Sequence, residues 1–464
     1  KADLDSYRDY FQHSEDQLKR LKDAFRSLPA ETPHREYLPE LFNWQGKHPP
    51  FYYRAVNAFT GLFDSTRYYE RFFLARLASL LMLSTSVVML FFIGRYLDQT
   101  VTHGYPLKII LPALFTAQPM IYIVACRISN DALAFPLNIL ALMLLFIWTI
   151  SADRMRHQTL FAILIGLSVG LAVIVKTYAL IYFVLLPLFG IFMSVRLRNY
   201  HPLLATAVML VVAAGISFPT LSYHLQTVQS LDGSHIGNMQ LGKDTLTTFI
   251  HMYVNSLEGY RQFFRMVVIR LWIGNWSSLG NYFPVYLLYG ALYATAAWYL
   301  WQNRRIILSS KDQLNLFVLG MLLQIILIAA LMNLGLKLYM RNPEPKNLVG
   351  YYSYAFYLTE LLILWVCFGE RFEGWAFLSL GVFLFSDGCG LFAQMVYYLG
   401  VADIGTLKMV LPDRNFISML PRNWNLSPWI PLPLSGFFAM VGAYYIGLPI
   451  YFWYRIKQPA VDGR

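Results

Sequence analysis

Apolar positions in this chain rarely alternate with polar ones. They come in runs of about 18–25 residues with few charges, long enough to cross the roughly 30 Å hydrocarbon core of a bilayer as helices. The runs lie at about 72–96, 107–126, 132–150, 158–175, 177–194, 203–221, 282–301, 314–337, 353–369, 374–398 and 435–454. The pattern predicts an all-α polytopic membrane protein of about eleven spans. Ahead of the first run the period changes. Leu4, Tyr7, Phe11, Leu18, Leu21 and Phe25 recur at intervals near three and four, with charges between them. That spacing predicts an amphipathic helix over 3–28, lying in the interface by one face. Pro29 and Pro33 end it. The stretch "GKHPPFYYRAVNAF" at 46–59 then joins helix to membrane. Pro49 and Pro50 fix φ and push His48 out of the helical region, and Phe51, Tyr52 and Tyr53 open a new short helix.

The loops set an orientation. Basic clusters follow the third run (Arg154, Arg156), the fifth (Arg196, Arg198), the seventh (Arg304, Arg305, Lys311) and the last (Arg455, Lys457, Arg464). Alternating the spans puts all four on one side, the cytoplasmic side by the excess of Lys and Arg. Residues 1–71 form a first extracytoplasmic loop, 72–221 a transmembrane core and 222–281 a second large exterior loop. Residues 282–454 form a C-terminal transmembrane region with exterior loops at 338–352 and 399–434, and 455–464 a cytoplasmic tail. The numbering begins at a lysine, and the expectation is that a membrane helix or cleaved signal precedes Lys1, a retained helix making twelve.

Composition agrees: of 464 residues, 57% are hydrophobic and only 14% charged, against about 25% in soluble domains. The net charge of +11 is accounted for by topology, and no nucleic-acid partner is expected. Cys126, Cys367 and Cys389 fall in or beside apolar runs, as packing residues do.

An amphipathic exterior helix, then "KHPPFYY", then a span beginning near "RLASLL" resembles the C-type glycosyltransferase superfamily (GT-C). Protein O-mannosyltransferases and bacterial aminoarabinose transferase belong to it. "RISNDALAFPL" (127–137) is similar to its short second exterior loop, and "GLAVIVKTYALIYF" (170–183) to its Gly-Leu-Ala…Lys turn. "LWIGNWSSLGNYFP" (271–284) is similar to a Trp/Gly-rich stretch of some members. The resemblance covers roughly residues 1–300. Beyond that it thins: "MRNPEPKNLVGYYSYAF" (340–356) is only loosely similar, and the expectation is that the large soluble C-terminal domain of some members has no counterpart here. It implies transfer of a sugar from a polyprenyl-phosphate carrier to an acceptor at the extracytoplasmic face of a bacterial inner membrane. Such chemistry needs a general base for the acceptor hydroxyl and cations for the departing phosphate.

On that resemblance the catalytic acid falls in "ADLDSYRDYF", with Asp5 and then Asp3 as candidates and Asp9 behind them. Aspartates also suit a helix N-terminus with no chemistry at all. Asp131, in the short second loop, is the second acid; Ser129 or Asn130 caps the span that follows, and Asp131 can serve both purposes. Lys176 lies between two apolar runs, and a cation there is either functional or snorkels to the interface. The resemblance gives it the carrier phosphate. Arg76, in the first turn of the first span, binds phosphate or anchors the helix at the headgroups. His48 orients substrate or forms a polar rim, and Lys47 is a further phosphate candidate. Trp272, with Trp276, stacks on a sugar or belongs to the aromatic belt. Arg261, Arg265 and Arg270 read first as headgroup contacts. Asp387 is an intramembrane acid without a counterpart in the family. Loop 399–434, with Asp403, Lys408, Asp413, Arg414 and Trp424, is left to recognise the acceptor. No metal ligand set is read; some branches use a divalent cation, Mg or Mn, and others none.

Two rival functions stand beside the transferase. One is a catalytically inactive relative serving as a subunit of a larger membrane complex. The other is a lipid or solute transporter, against which no inverted repeat or symmetric pair of broken helices is found.

Overall fold

The computed structural model describes residues 13–27, 51–63, 67–102, 107–117, 128–151, 158–228, 247, 283–341, 357–368, 374–385, 388, 414–427 and 432–457. Among them every regular element is helical: α1 Glu15–Ser27, α2 Phe51–Thr60, α3 Tyr68–Leu97, α4 Leu107–Thr116, α5 Asp131–Ser151, α6 Gln158–Val175, α7 Ile181–Leu197 and α8 His201–Val228. There follow α9 Phe283–Ser309, α10 Lys311–Arg341, α11 Tyr357–Phe368, α12 Gly374–Phe385, α13 Arg414–Leu426 and α14 Leu434–Lys457.

Among the described residues seven helical stretches are long and apolar enough to cross a membrane: Tyr68–Thr100, Asp131–Ser151, Gln158–Val175, Thr177–Leu197, His201–Gln226, Lys311–Ala330 and Leu434–Tyr454. The chain is thus a multi-pass membrane protein. Leu107–Thr116 and Gly374–Phe385 are shorter apolar helices. The described parts of the other two apolar runs are helical as well, in α9 and α11.

Local chemistry sets the helix ends. Ser14 and Gln17 form a capping box at α1: the Gln17 amide donates to Ser14 Oγ (3.3 Å) and the Ser14 amide to Gln17 Oε1 (3.1 Å), which satisfies two orphan donors. Its described part runs to Ser27. Asp98 caps α4 from across a turn, accepting from the Leu107 and Lys108 amides at 2.9 and 3.2 Å. After α7, Arg198 takes a left-handed conformation (φ 52°) and the Asn199 amide reaches back to the Ser194 carbonyl at 3.1 Å. This closes the helix and starts the reversal into α8.

Helices α3, α5, α6, α7 and α8 pack side by side, with α4 against α3 and α10 against α5 and α7. Trp148 of α5 meets Phe189 of α7 edge to face at 6.3 Å, both fully buried. Lipid and protein interior are equally apolar, so the tightest contacts come from small residues. Gly166 and Gly170 bring α6 onto α8: a Cβ at Gly166 would lie 2.6 Å from the Met209 carbonyl oxygen, and one at Gly170 would lie 2.7 Å from Ile216 Cβ. A Gly170→Leu variant should therefore lose about 1–3 kcal/mol through overpacking. The check is thermal unfolding in detergent, and an unchanged midpoint would refute the close approach.

Contacts between helix ends sort the molecule into two ends. At one, Tyr96 bonds Ser151 (2.8 Å) and Arg196 bonds the Lys311 carbonyl (3.4 Å). At the other, α1 packs on α13, and α2 on the first half of α3 and on α6. Arg196 and Lys311 fall at the first end, and α1, α2 and α13 at the second.

Candidate functional site

Helix α2 starts at Phe51, directly after the proline pair. Its apolar face turns inward, with Tyr52 and Val56 buried and Phe51 exposed. The Tyr52 hydroxyl reaches Ser79 Oγ of α3 at 2.6 Å, and Ser79 Oγ donates in turn to the Ala75 carbonyl at 3.0 Å. The Ser129 backbone also bonds the Tyr52 hydroxyl. One phenol thus joins α2, α3 and the loop before α5.

That loop ends in Ser129-Asn130-Asp131. The Asn130 carbonyl accepts from the Ala134 amide at 2.9 Å, so Asn130 is the residue from which α5 starts. Its side chain does not cap its own helix. Nδ2 donates to the Val175 carbonyl, the last of α6, at 3.1 Å, and Oδ1 accepts from Lys176 Nζ at 3.1 Å. Asn130 therefore satisfies an orphan carbonyl of the neighbouring helix and a lysine proton together.

Lys176 is the single extended residue (φ −153°, ψ 122°) between α6 and the 3-10 turn Thr177–Leu180 that leads into α7. Its amide still bonds the Ala172 carbonyl at 2.8 Å, while its side chain runs to α5. Nζ lies 3.1 Å from both carboxylate oxygens of Asp131, and each side chain is only 9% exposed. Ser129 Oγ donates to Asp131 Oδ2 at 2.9 Å.

The pair is placed where helix electrostatics favour it. Asp131 opens α5, where the dipole is positive, and Lys176 follows the last residue of α6, where it is negative. Burying both charges is costly; mutual attraction, the Ser129 hydroxyl, the Asn130 side-chain carbonyl and two dipoles offset that cost. Lys176 does not snorkel to the headgroups as one expectation had it. It folds inward and is held.

The Asp131 charge is felt nearby. Burial first, and then that carboxylate, push the Tyr53 phenol above its usual range. Burial takes Tyr52 up to about 12, while its bond to Ser79 works against the rise. The folded state thus keeps the Tyr52 proton longer than the unfolded chain, which loses it near pH 10. The resulting stability is complete below about pH 10 and fades as pH climbs toward 12. Tyr52→Phe should flatten that loss between pH 9 and 11 and cost about 1 kcal/mol at neutral pH. Unfolding midpoints of both proteins at the two pH values give the answer, and an equally steep loss in the variant would exclude Tyr52 as its source.

Arg76 requires a correction. It does not sit in the first turn of its helix, because α3 begins at Tyr68. Its guanidinium lies over the Phe72 ring at 4.2 Å and near Phe73 at 5.9 Å. It is one turn ahead of Ser79, stacked on aromatics of its own helix. Asp3, Asp5, Asp9, Lys47, His48, Arg261, Arg265, Arg270, Trp272, Trp276 and Asp387 lie outside the described residues. Among the described residues no group of three or more His, Cys, Asp and Glu is close enough to hold a metal ion.

Sequence reading overlooked Glu360 of α11. It is buried, and its Oε2 has no hydrogen-bond partner among the described residues. Beside it Thr359 accepts a bond from Gln324 of α10 at 3.0 Å. The available signal was an acid inside the apolar run 353–369. Comparison with known proteins finds no matching family model, no matching curated protein and no matching solved structure.

Proposed function

We propose that the chain is an integral-membrane glycosyltransferase that moves a sugar from a polyprenyl-phosphate carrier to an acceptor at the extracytoplasmic face. One observation carries the reading. Three separate stretches of the sequence resemblance, at 51–53, 129–131 and 176, meet in one cluster, and they bring an acid and a cation within 3.1 Å of each other. On this reading the eleven apolar runs are all spans, the membrane is a bacterial inner membrane, and the cluster faces the exterior.

The chemistry follows from the pair. In the resting protein Lys176 is occupied by Asp131 and Asn130. A carrier phosphodiester brings one negative charge and two non-bridging acceptor oxygens; it competes with Asp131 for Lys176 and frees the carboxylate oxygens as the departing phosphate gains its second charge. The acceptor hydroxyl then attacks the anomeric carbon and the bond from that carbon to the phosphate oxygen breaks. The hydroxyl proton passes to a carboxylate, Asp5 or the freed Asp131. The leaving polyprenyl phosphate gains a negative charge, which the Lys176 ammonium stabilises.

The direct test uses the purified protein in lipid nanodiscs with radiolabelled polyprenyl-phosphate sugars and a membrane extract as acceptor. Labelled product should appear with at least one sugar; its absence with every donor, in protein shown to be folded, would sink the proposal. Sidedness has its own test. A cysteine at Gly46 should react with an impermeant thiol reagent from outside, and one at Ser309 only after permeabilisation. Reaction of both from one side would sink the topology and the site argument with it.

A second reading has one observation in its favour. Lys176 is fully accommodated by protein groups, as a structural clamp would be, so an inactive subunit of a larger membrane complex would keep the same cluster. The two readings of the cluster diverge in what a rearranged charge pair does, which is taken up below.

A further inference from the structure

A second charged feature lies apart from the Asp131–Lys176 cluster. Helix α1, from the first exterior loop, packs on α13, from loop 399–434, and between them opens a cleft of about 530 Å³ lined by Glu15, Lys19, Lys22, Asp23, Arg26 and Arg422. Asn425 and Leu426 complete its α13 side. The size is that of small-ligand sites. Four cations face two acids. Glu15 is taken up by Lys19 at 3.2 Å, which leaves Lys22, Arg26 and Arg422 with Asp23 as the remaining acid.

The three cations are held in place by contacts that do not cancel their charge. Lys22 Nζ donates to the Asn425 carbonyl near the end of α13, and Arg422 donates to the His13 carbonyl at 3.4 Å. Arg26 lies 5.4 Å from the centre of the Tyr69 ring, and its buried Nε has no hydrogen-bond partner among the described residues. Lys22 and Arg26 are four residues apart on one helix, so they repel. Burial, and after it the Arg26 charge, hold the Lys22 ammonium below its usual range, with Asp23 acting the other way. An anion would relieve the repulsion and take up the orphan guanidinium donor.

The position of the cleft narrows the ligand. Tyr69 is at the start of the span α3. Trp424 of α13 bonds the Leu432 carbonyl at 2.8 Å and packs on Phe437 of the span α14 at 4.6 Å. The cleft therefore stands where two spans leave the membrane, at headgroup height. Arginine donors set as forks, next to a lysine, are the chemistry that holds phosphate.

We propose that the cleft between α1 and α13 is a binding site for a phosphate-bearing ligand, coordinated by Lys22, Arg26 and Arg422 and separate from the Asp131–Lys176 cluster. Binding ties the first exterior loop to the late one.

The test is thermal unfolding of the detergent-solubilised full chain, together with native mass spectrometry. The probes are inorganic phosphate, glycerol 3-phosphate, phosphatidylglycerol and the zwitterionic phosphatidylcholine. Phosphatidylglycerol should raise the melting temperature and remain bound, phosphatidylcholine less so. Arg26→Gln and Arg422→Gln should each weaken binding about tenfold, and Arg422→Lys by less. If inorganic phosphate or glycerol 3-phosphate stabilises as well as the lipid, the ligand is a soluble phosphate; if only the lipid does, it is a headgroup. Both outcomes support the site. Arg26 makes no hydrogen bond through its buried Nε, so Arg26→Gln should fold, and without ligand it should melt at or above the wild type because repulsion is relieved. Equal binding of every probe by wild type and Arg26→Gln, or no binding by wild type, overturns the proposal. A lower melting temperature of ligand-free Arg26→Gln also counts against it, because Arg26 would then serve structure.

Discussion

Lys176→Ala is expected to destabilise the protein by about 3–5 kcal/mol. The substitution leaves the Asp131 carboxylate with 7% exposure and no cation. It also leaves Asn130 Oδ1 without its donor and removes the positive charge that follows the α6 C-terminus. Ser129 Oγ alone cannot stabilise a buried anion. The size of the loss comes from the charge left behind more than from the contact removed. A second change should therefore recover much of it: Lys176→Met with Asp131→Leu holds no buried charge, and such replacements of buried pairs are often neutral or better. Unfolding in detergent of wild type, Lys176→Met, Asp131→Leu and the double variant measures the coupling. If Lys176→Ala and the double variant melt together, within error of wild type, the pair is solvated and the burial argument fails.

The cluster was legible in part. Asp131 and Lys176 each stood out alone, as charges at the ends of apolar runs. The proline pair announced a short helix from Phe51 onward, and the described residues from Phe51 to Thr60 are helical. The runs themselves became helices because nothing else satisfies a backbone inside lipid. What sequence could not give was the pairing. Asn130 Nδ2 reaches a carbonyl 45 residues away, and Tyr52 a serine 27 residues away; no periodicity encodes such contacts, which depend on which helices lie side by side. Arg76 was misplaced for a different reason. Hydropathy marks where lipid begins, whereas α3 starts earlier, through Tyr68, Tyr69 and Glu70, because a helix needs no apolar residues once outside the bilayer. Glu360 was passed over because its run is otherwise apolar, and a single acid in such a run carries no sign of what it meets. The stretches holding Asp5, His48 and Trp272 were read from resemblance, and they lie outside the described residues.

The reversed pair, Asp131→Lys with Lys176→Asp, should separate a catalytic cluster from a structural clamp. Attraction between the two side chains survives the exchange. The cost is the inverted match to the helix dipoles, about 0.3–1 kcal/mol at each end, together with the Ser129 and Asn130 bonds that assume the native order. Folded protein should be recovered at reduced stability. Its chemistry changes much more. A carboxylate at 176 repels a carrier phosphate where an ammonium attracted it, so transfer should fall by more than about 10² through both donor binding and departure of the phosphate. Asp5→Asn provides the complement: shape and hydrogen bonding are kept, basicity is lost, and turnover should fall by about 10²–10⁴ with stability unchanged. Asp131→Asn then tells which acid takes the proton. If it matches wild-type turnover while Asp5→Asn does not, Asp131 only positions Lys176; the opposite result assigns the base to Asp131. A reversed-pair protein that folds and transfers sugar at the wild-type rate would show that neither charge acts on the phosphate. The cluster would then be a clamp between α5 and α6, and the groups that act on the carrier phosphate would lie elsewhere in the chain.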